Sequence, residues 1–280
     1  MKDPDSISLE GIRLIVFDVD GTLQDSDHQV SALCREVIQR LQEHGILITL
    51  ATGKILPSVI QIAQELCIDV PLILGNGAVL QKRDGEILHY TSFEEDLARH
   101  VFKVMEAYPF DLTAYTPEKI YTKEITDNMK ELLNYGGPLA EQVDEWDDIS
   151  SEWSQLIKIN WLDKKTPEKL PPLVSVLQKI LGDDAEVCMG IDFILEVMPA
   201  GVDKANALAR LADILCIQNS EIMAFGDGDN DAEMLRMAGM GVAVSNASAA
   251  CLKSADVVVP ATDEDGPARF LEKLLDRAGW

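Results

Sequence analysis

Cysteine is scarce in this chain of 280 residues, and it shows no pairing pattern. The five cysteines are odd in number and widely spaced, with no Cys-x-x-Cys pair, which argues against a disulfide framework. Four of them lie among apolar residues, so we expect core thiols in a reducing compartment. Residues 1–11 are polar and acidic, unlike a signal peptide, and no apolar run is long enough to span a bilayer. We therefore expect a cytoplasmic protein with no membrane contact.

Positive charge is also in short supply. Lysine and arginine number 24 against 48 acidic residues, for a formal net charge of −24. Nucleic acids and anionic membranes are poor partners for such a surface. A phosphate site would need local positive charge from a metal, a lysine or a helix N-terminus. The four histidines lack metal-ligand spacing, and no Gly-x-Ser-x-Gly is present, so serine hydrolase chemistry has no basis.

Apolar strand-like runs alternate with helical patterns in the first and last parts of the chain, which predicts a parallel sheet with right-handed crossovers. Asp84-Gly85 between two apolar runs predicts a hairpin. From about Tyr90 to Glu196 the chain mixes helices, such as Ile125 to Tyr135, with alternating strands, and aromatic residues are denser. We therefore expect an α/β protein with a Rossmann-like, discontinuous core domain (1–85 and 197–280) and an inserted α+β domain (86–196).

An acidic pair stands at the end of the first predicted strand. Leu14 to Phe17 are apolar and lead directly into Asp18-Val19-Asp20-Gly21-Thr22. Two aspartates this close repel each other, and a metal cation or a shared proton is the usual relief. The alternative is a strand followed by an ordinary Asx-type turn.

A second acidic loop, Asp227 to Asp231, also follows an apolar strand. An EF-hand is excluded because its required glycine and glutamate positions hold Ala232 and Ala238. The carboxyl ends of strands in an open α/β sheet meet at one crevice, where converging carboxylates favour a hard cation such as Mg²⁺. The alternative is a solvated helix N-terminus, where acidic residues are also common.

Two further segments offer groups that suit a phosphate. Thr52-Gly53-Lys54 lies between a strand and a helix, which predicts a phosphate cradle or an ordinary turn. Lys204 follows Asp203, a good N-cap, so its charge opposes the helix dipole and hints at a role beyond helix formation. A surface lysine is the alternative for Lys204.

Together these segments resemble the motifs of the haloacid dehalogenase superfamily of phosphohydrolases, in its Cof-type subgroup. The resemblance covers nearly the whole chain and keeps the motif order. The four main motifs correspond to Phe17 to Leu23, Ala51 to Lys54, Gly201 to Lys204, and Gly226 to Asp231; further signatures are Asn76 to Ala78, Ser245 to Ala247, and Asp263 to Gly266. The inserted domain then resembles the cap that closes over the active site in this subgroup.

The resemblance implies the chemical groups of a phosphatase. Asp18 would attack phosphorus and form an aspartyl-phosphate, and Asp20 would act as general acid and then general base. Relatives that are dehalogenases lack this second aspartate, so its presence favours phosphoryl transfer. Mg²⁺ would be held by the Asp18 carboxylate, the Asp20 backbone carbonyl and Asp227.

The remaining implied roles concern the phosphate. Thr52 and the Gly53 N–H would hold phosphate oxygens, and Lys204 would stabilise charge on the transferring group. Asn230 would contact phosphate or metal-bound water, and Asp231 would orient its loop.

Three positions depart from the family pattern. Lys54 replaces a common arginine, Ala205 stands where glycine often follows the motif lysine, and Pro267 replaces a frequent valine. No departure removes a catalytic group. We therefore expect a Mg²⁺-dependent phosphatase of small phosphorylated metabolites, with sugar phosphates the leading class, acting as a monomer or small homo-oligomer.

Two alternatives are kept. A sugar phosphomutase of the phosphomannomutase type resembles this first motif and carries a related cap, although its later motifs fit less well. A catalytically silent binding or regulatory protein would have lost at least one of four groups, and all are present: Asp18, Asp20, Lys204 and Asp227.

Overall fold

The computed structural model describes residues 2, 7–134 and 137–280, and all structural statements refer to these residues. The strands are β1 (Leu14–Phe17), β2 (Leu47–Leu50), β3 (Leu72–Leu74), β4 (Val79–Gln81), β5 (Ile87–Tyr90), β6 (Asp111–Tyr115), β7 (Ile120–Thr122), β8 (Glu141–Gln142), β9 (Lys158–Leu162), β10 (Ala185–Met189), β11 (Ile194–Pro199), β12 (Ile222–Gly226), β13 (Met240–Val244) and β14 (Val257–Val259). The α-helices are α1 (Ala32–Glu43), α2 (Leu56–Glu65), α3 (Glu95–Met105), α4 (Asp127–Asn134), α5 (Pro171–Leu181), α6 (Lys204–Leu215), α7 (Ala232–Met237), α8 (Ala249–Ser254) and α9 (Gly266–Ala278).

A five-stranded parallel sheet forms the centre of the fold, with strand order β14-β13-β12-β1-β2. Strand β1 is fully buried because helices cover both faces of the sheet. Ile15 and Phe17 pack in one core cluster with residues of α1 and α9, while Leu14 and Val16 pack in another with residues of α6 and α7. The predicted α/β fold with a parallel sheet core is confirmed.

A second, six-stranded sheet has the order β10-β11-β9-β6-β7-β8 and is antiparallel except for its β7–β8 pair. Its outer face packs against α3, α5 and a cluster of aromatic side chains. The Trp161 indole N–H, for example, donates to the Met105 carbonyl at 3.1 Å. This separate sheet has its own apolar core and forms the inserted α+β part of the fold.

The third predicted strand, β3, pairs differently from our expectation. It joins β4 and β5 in a three-stranded antiparallel sheet, and a single parallel bridge between Ala51 and Ile73 connects it to the end of β2. The Asp84-Gly85 turn lies between β4 and β5, with Gly85 at φ +96°, so the predicted hairpin forms. This hairpin crosses the expected domain boundary at 85/86, and β11 crosses the one at 196/197. The division into domains stays a prediction.

Two smaller expectations need comment. Cys34 and Cys251 are buried as expected, but Cys67 and Cys216 are exposed. Both exposed cysteines follow helix ends at positive φ, where the chain turns away from the core, so apolar neighbours in sequence did not guarantee burial. The end of the predicted helix at Tyr135 lies outside the described residues. No helix in the described ranges has the length and apolar character that a membrane crossing requires.

Candidate active site

A buried lysine holds the carboxylates of both acidic loops. Asp18 directly follows β1, and its N–H donates to the Phe225 carbonyl at 3.0 Å, which continues the sheet. Lys204 begins α6, and its Nζ lies 2.6 Å from Asp18 Oδ1 and 2.6 Å from Asp231 Oδ1. The lysine is only 1% exposed, so it is no surface residue. The third-motif lysine therefore joins the first and fourth motifs.

The two acidic loops also contact each other directly. Thr22 Oγ1 donates to Asp227 Oδ1 at 2.9 Å. Gly21 lies at φ +81°, and a Cβ there would come within 2.7 Å of Asp227 Oδ2, so this approach requires glycine. Asp231 Oδ2 accepts from the N–H groups of Asp227 at 3.0 Å and Gly228 at 2.9 Å, which orients the loop. The acidic pair is therefore more than an ordinary turn.

The carboxylates carry more negative charge than one lysine can neutralise. Oxygens of Asp18, Asp227 and Asp231 lie within 4.8 Å of one another. Burial raises the pKa of Asp18 well above its usual value, although Lys204 opposes this, and the neighbouring Asp231 raises it further. Burial and the charge of Asp231 raise the pKa of Asp227 to about 6. Burial alone would lower the pKa of Lys204, but Asp18 and Asp231 outweigh it and raise that pKa.

This arrangement fits a divalent cation. The oxygens of Asp231 already accept hydrogen bonds from Lys204 and from backbone N–H groups. Each carboxylate of Asp18 and Asp227 has one oxygen beyond those used by Lys204 and Thr22. Two carboxylates whose ionised forms are disfavoured by burial and mutual repulsion form a donor set that suits Mg²⁺.

Asp20 lies beside two groups that the sequence analysis did not place next to it. Lys54 Nζ is 2.6 Å from Asp20 Oδ1, and His28 Nδ1 is 3.8 Å from the same oxygen. We predicted Lys54 as part of the Thr52-Gly53-Lys54 cradle, with no contact to Asp20, and we assigned no role to His28. Lys54 is 34 residues from Asp20 in sequence, so no local pattern indicates their contact, and His28 is near Asp20 in sequence but belongs to no motif.

The predicted cradle Thr52 to Lys54 is a loop between β2 and α2, and it directly precedes Ile55, the N-cap of α2. The Thr52 N–H donates to the Ile73 carbonyl at 2.9 Å, and the Lys54 N–H donates to Thr52 Oγ1 at 3.2 Å. The loop therefore presents a hydroxyl and backbone groups just before the N-terminus of α2.

Three buried polar residues outside the predicted set reach the same loops. Lys158 Nζ lies 2.5 Å from Glu196 Oε1, and Asn76 Nδ2 donates to Glu196 Oε2 at 2.5 Å. Asn230, which we predicted at the phosphate, donates from Nδ2 to Asn76 Oδ1 at 3.0 Å. Single charged residues at buried strand positions were the only signal for Lys158 and Glu196.

A cavity of about 970 Å³ lies between the parallel sheet and the inserted sheet. Its wall on the parallel-sheet side carries every predicted site residue except Lys204, which lies beneath Asp18. The opposite wall comes from the inserted sheet and includes Tyr115, Asn160 and Phe193. The predicted residues thus converge on one cavity that is large enough for a small metabolite.

Comparison with known proteins gives the family. A model of haloacid dehalogenase-like hydrolases matches residues 15–271. The chain belongs to this family. The predicted superfamily and its Cof-type subgroup are confirmed, and the protein is a hydrolase.

Several relatives are similar over most of their length. HMP-PP phosphatase of Cronobacter sakazakii is 31% identical over 84% of this chain and 85% of its own. The Bacillus subtilis protein YitU, a 5-amino-6-(5-phospho-D-ribitylamino)uracil phosphatase, is 28% identical over 94% of this chain and 97% of its own. A haloacid dehalogenase-like hydrolase from Bacteroides thetaiotaomicron has a similar crystal structure, with a TM-score of 0.81, 27% identity, and coverage of 94% of this chain and 99% of that one.

One relative is much longer. The chloroplastic endoribonuclease YBEY of Arabidopsis thaliana is 27% identical over 95% of this haloacid dehalogenase-like chain, which spans about half (48%) of the relative's length.

Proposed function

We propose that the protein is a Mg²⁺-dependent phosphatase that hydrolyses small phosphorylated metabolites, sugar phosphates or similar phosphomonoesters, through an aspartyl-phosphate on Asp18. The observation that carries the proposal is the buried contact of Lys204 with both Asp18 and Asp231 beside the open carboxylate of Asp227. The phosphatases from Cronobacter sakazakii and Bacillus subtilis, which act on small phosphorylated compounds, support the reaction class.

In the first step, one carboxylate oxygen of Asp18 attacks phosphorus, and the bond from phosphorus to the leaving oxygen breaks. Lys204 stays protonated because two carboxylates surround it, so it offers a fixed positive charge to the phosphate. Asp18 and Asp227 would hold Mg²⁺, which supplies charge neutralisation between nucleophile and phosphate. Thr52 and the Gly53 N–H would then hold phosphate oxygens.

Asp20 protonates the leaving oxygen and later activates water. Its Oδ1 is held by Lys54 at 2.6 Å and lies 3.8 Å from His28 Nδ1, so Oδ2 is the oxygen that would carry the proton. Lys54 would thus orient the Asp20 carboxyl for this transfer.

The inserted sheet would act as a cap over this chemistry. It forms the wall of the cavity opposite Asp18, so its closure would exclude bulk water while the aspartyl-phosphate forms. Water must re-enter before hydrolysis, with Asp20 as the base. The leaving group would contact the cap wall, which is therefore where substrate choice would be made.

The decisive experiment measures inorganic phosphate released from a panel of phosphorylated metabolites with Mg²⁺. We expect release by the wild type and a loss of at least about 10³-fold in Asp18→Asn, because the amide cannot act as the nucleophile. Far-ultraviolet circular dichroism should show an unchanged fold. Substantial turnover by Asp18→Asn would refute the nucleophile assignment.

The same assay separates the alternatives. A phosphomutase would need an activating bisphosphate and would return phosphate to the sugar, so it would release little free phosphate. A silent binding protein would release none from any substrate. Retention of Asp18, Asp20, Lys204 and Asp227 in one connected site argues against the silent alternative.

A further inference from the structure

A buried ion pair links the inserted sheet to the predicted phosphate site. Lys158 on β9 and Glu196 on β11 lie at the cavity wall, with side chains only 3% and 5% exposed. The ammonium is 2.5 Å from Glu196 Oε1 and 4.7 Å from the centre of the Tyr115 ring. Burying two charges is costly, and an apolar pair of similar volume would often serve packing better. The partners of this pair therefore matter.

Lys158 provides a hydrogen bond that the parallel-sheet side does not. In the loop Thr52 to Lys54, the Thr52 carbonyl accepts from the Asn76 N–H at 2.9 Å, and the Lys54 carbonyl accepts from the Gly75 N–H at 2.9 Å. The carbonyl between them, that of Gly53, accepts instead from Lys158 Nζ at 2.8 Å. The orientation of the Gly53 peptide thus depends on a side chain from the inserted sheet.

Glu196 reaches the opposite side of the phosphate site through Asn76. Asn76 donates to Glu196 Oε2, and its own Oδ1 accepts from Asn230. Asn76 is 1% exposed and lies at φ +57°, an uncommon conformation for a residue other than glycine. A Cβ on Gly53 would come within 3.1 Å of Asn76 Oδ1, so the two residues are packed against each other. Both arms of the ion pair therefore end on residues predicted to contact phosphate.

We propose that Lys158 and Glu196 are positioning residues through which the cap completes the phosphate site. With the inserted sheet seated, the pair sets the Gly53 peptide and the Asn230 amide in the geometry that binds the transferring phosphate. When the sheet moves away, the Gly53 carbonyl loses Lys158, and Asn76, which holds the Asn230 amide, loses Glu196. The inference rests on the proposed phosphatase function, and it couples catalytic competence to cap closure without any contact between the pair and the leaving group.

The test compares Lys158→Met and Glu196→Gln with the double variant and with a matched control. Lys123→Met makes the same chemical change at an exposed ion pair of the inserted domain, with Glu145. We expect Lys158→Met to lower kcat about 10- to 100-fold with little change in KM, because small displacements of positioning groups have effects of that size. The loss should be equal for a metabolite and for para-nitrophenyl phosphate. Lys123→Met should match the wild type.

The double variant separates positioning from stability. A single substitution leaves one buried charge unpaired, so each should lower the unfolding midpoint, while the double variant should recover part of it. Activity should not recover with it. Recovery of both together would show that the pair serves stability alone, and a loss confined to one leaving group would show that Lys158 contacts substrate. Either result overturns the proposal.

Hydrogen exchange keeps the inference testable if the wild type releases no phosphate from any compound, a result that would overturn the proposed function by itself. Peptides covering residues 50–56 and 73–79 should exchange faster in Lys158→Met than in the wild type or in Lys123→Met. Equal exchange in all three proteins would refute the positioning role whatever the activity.

Discussion

The crowded carboxylates predict that a substitution which disables the site should stabilise the metal-free protein. The pKa of Asp227 is raised from 3.8 to about 6, so ionising this carboxyl in the fold at pH 7.5 costs about 3 kcal/mol. Solvent screening at this partly exposed side chain reduces this cost to about 1–2 kcal/mol. Asp227→Asn removes the charge, and the amide oxygen can still accept from Thr22.

The assay is urea denaturation in EDTA, followed by fluorescence. The native state keeps the Asp227 proton up to about pH 6, whereas the unfolded chain releases it near 3.8, so wild-type stability falls as the pH rises through this window. We expect the advantage of Asp227→Asn to be complete above about pH 6 and absent below about pH 4. With Mg²⁺ at about 100 times its Kd, the free energy of unfolding of the wild type should rise by about 2.7 kcal/mol, which makes the wild type more stable than Asp227→Asn.

Asp213→Asn is the matched control, since Asp213 is exposed on α6 and its substitution should stay within about 0.5 kcal/mol of the wild type. A metal-free Asp227→Asn protein that is less stable than the wild type at pH 7.5 would refute the charge argument. It would mean that favourable contacts of the ionised carboxylate, such as the attraction of Lys204, outweigh its burial and the repulsion of Asp231.

Two further predictions concern backbone and thiol chemistry. Gly77→Ala should lower the free energy of unfolding in urea by more than about 3 kcal/mol, because Gly77 lies at φ +102° and its Cβ would lie 2.2 Å from the Asp203 carbonyl oxygen. Gly45 lies at φ +83° with open space around it, so Gly45→Ala should lower the free energy of unfolding by only about 1–2 kcal/mol. Equal losses in the two variants would contradict the steric argument. Burial raises the pKa of Cys34 to about 12, so its thiolate fraction at pH 8 is roughly 10⁻⁴. In the native protein, iodoacetamide should therefore label the exposed Cys67 but not Cys34, and peptide mass spectrometry measures the labelling.

The parts of the site that could be predicted have local signals. An apolar run that ends in Asp18-Val19-Asp20 predicts a buried strand with a reactive carboxylate pair at its end. The loop at Asp227 repeats that pattern, and Lys204 after an N-cap is unusual enough to notice. Parallel sheets bring such strand ends together, so a local pattern and one topological rule suffice.

The parts that could not be predicted depend on long-range contacts. Lys158 and Glu196 are 38 residues apart, and each stands singly in a mostly apolar strand, so neither reveals a partner before folding. Lys54 meets Asp20 across 34 residues in the same way. The apolar run at β3 identified a strand but could not decide between the edge of β2 and the neighbouring hairpin, and the tight Asp84-Gly85 turn favours the hairpin.

The central position of β1 has a consequence for synthesis on the ribosome. One neighbour, β2, is made soon afterwards, but the other, β12, lies beyond the whole inserted sheet. The 208 residues from Leu14 to Ile222, its partner in β12, take roughly 10–40 s to translate. During that interval the apolar edge of β1 waits without its partner, where it is open to wrong pairing or to a chaperone. The inserted sheet can therefore fold on the nascent chain well before the active site that it covers is complete.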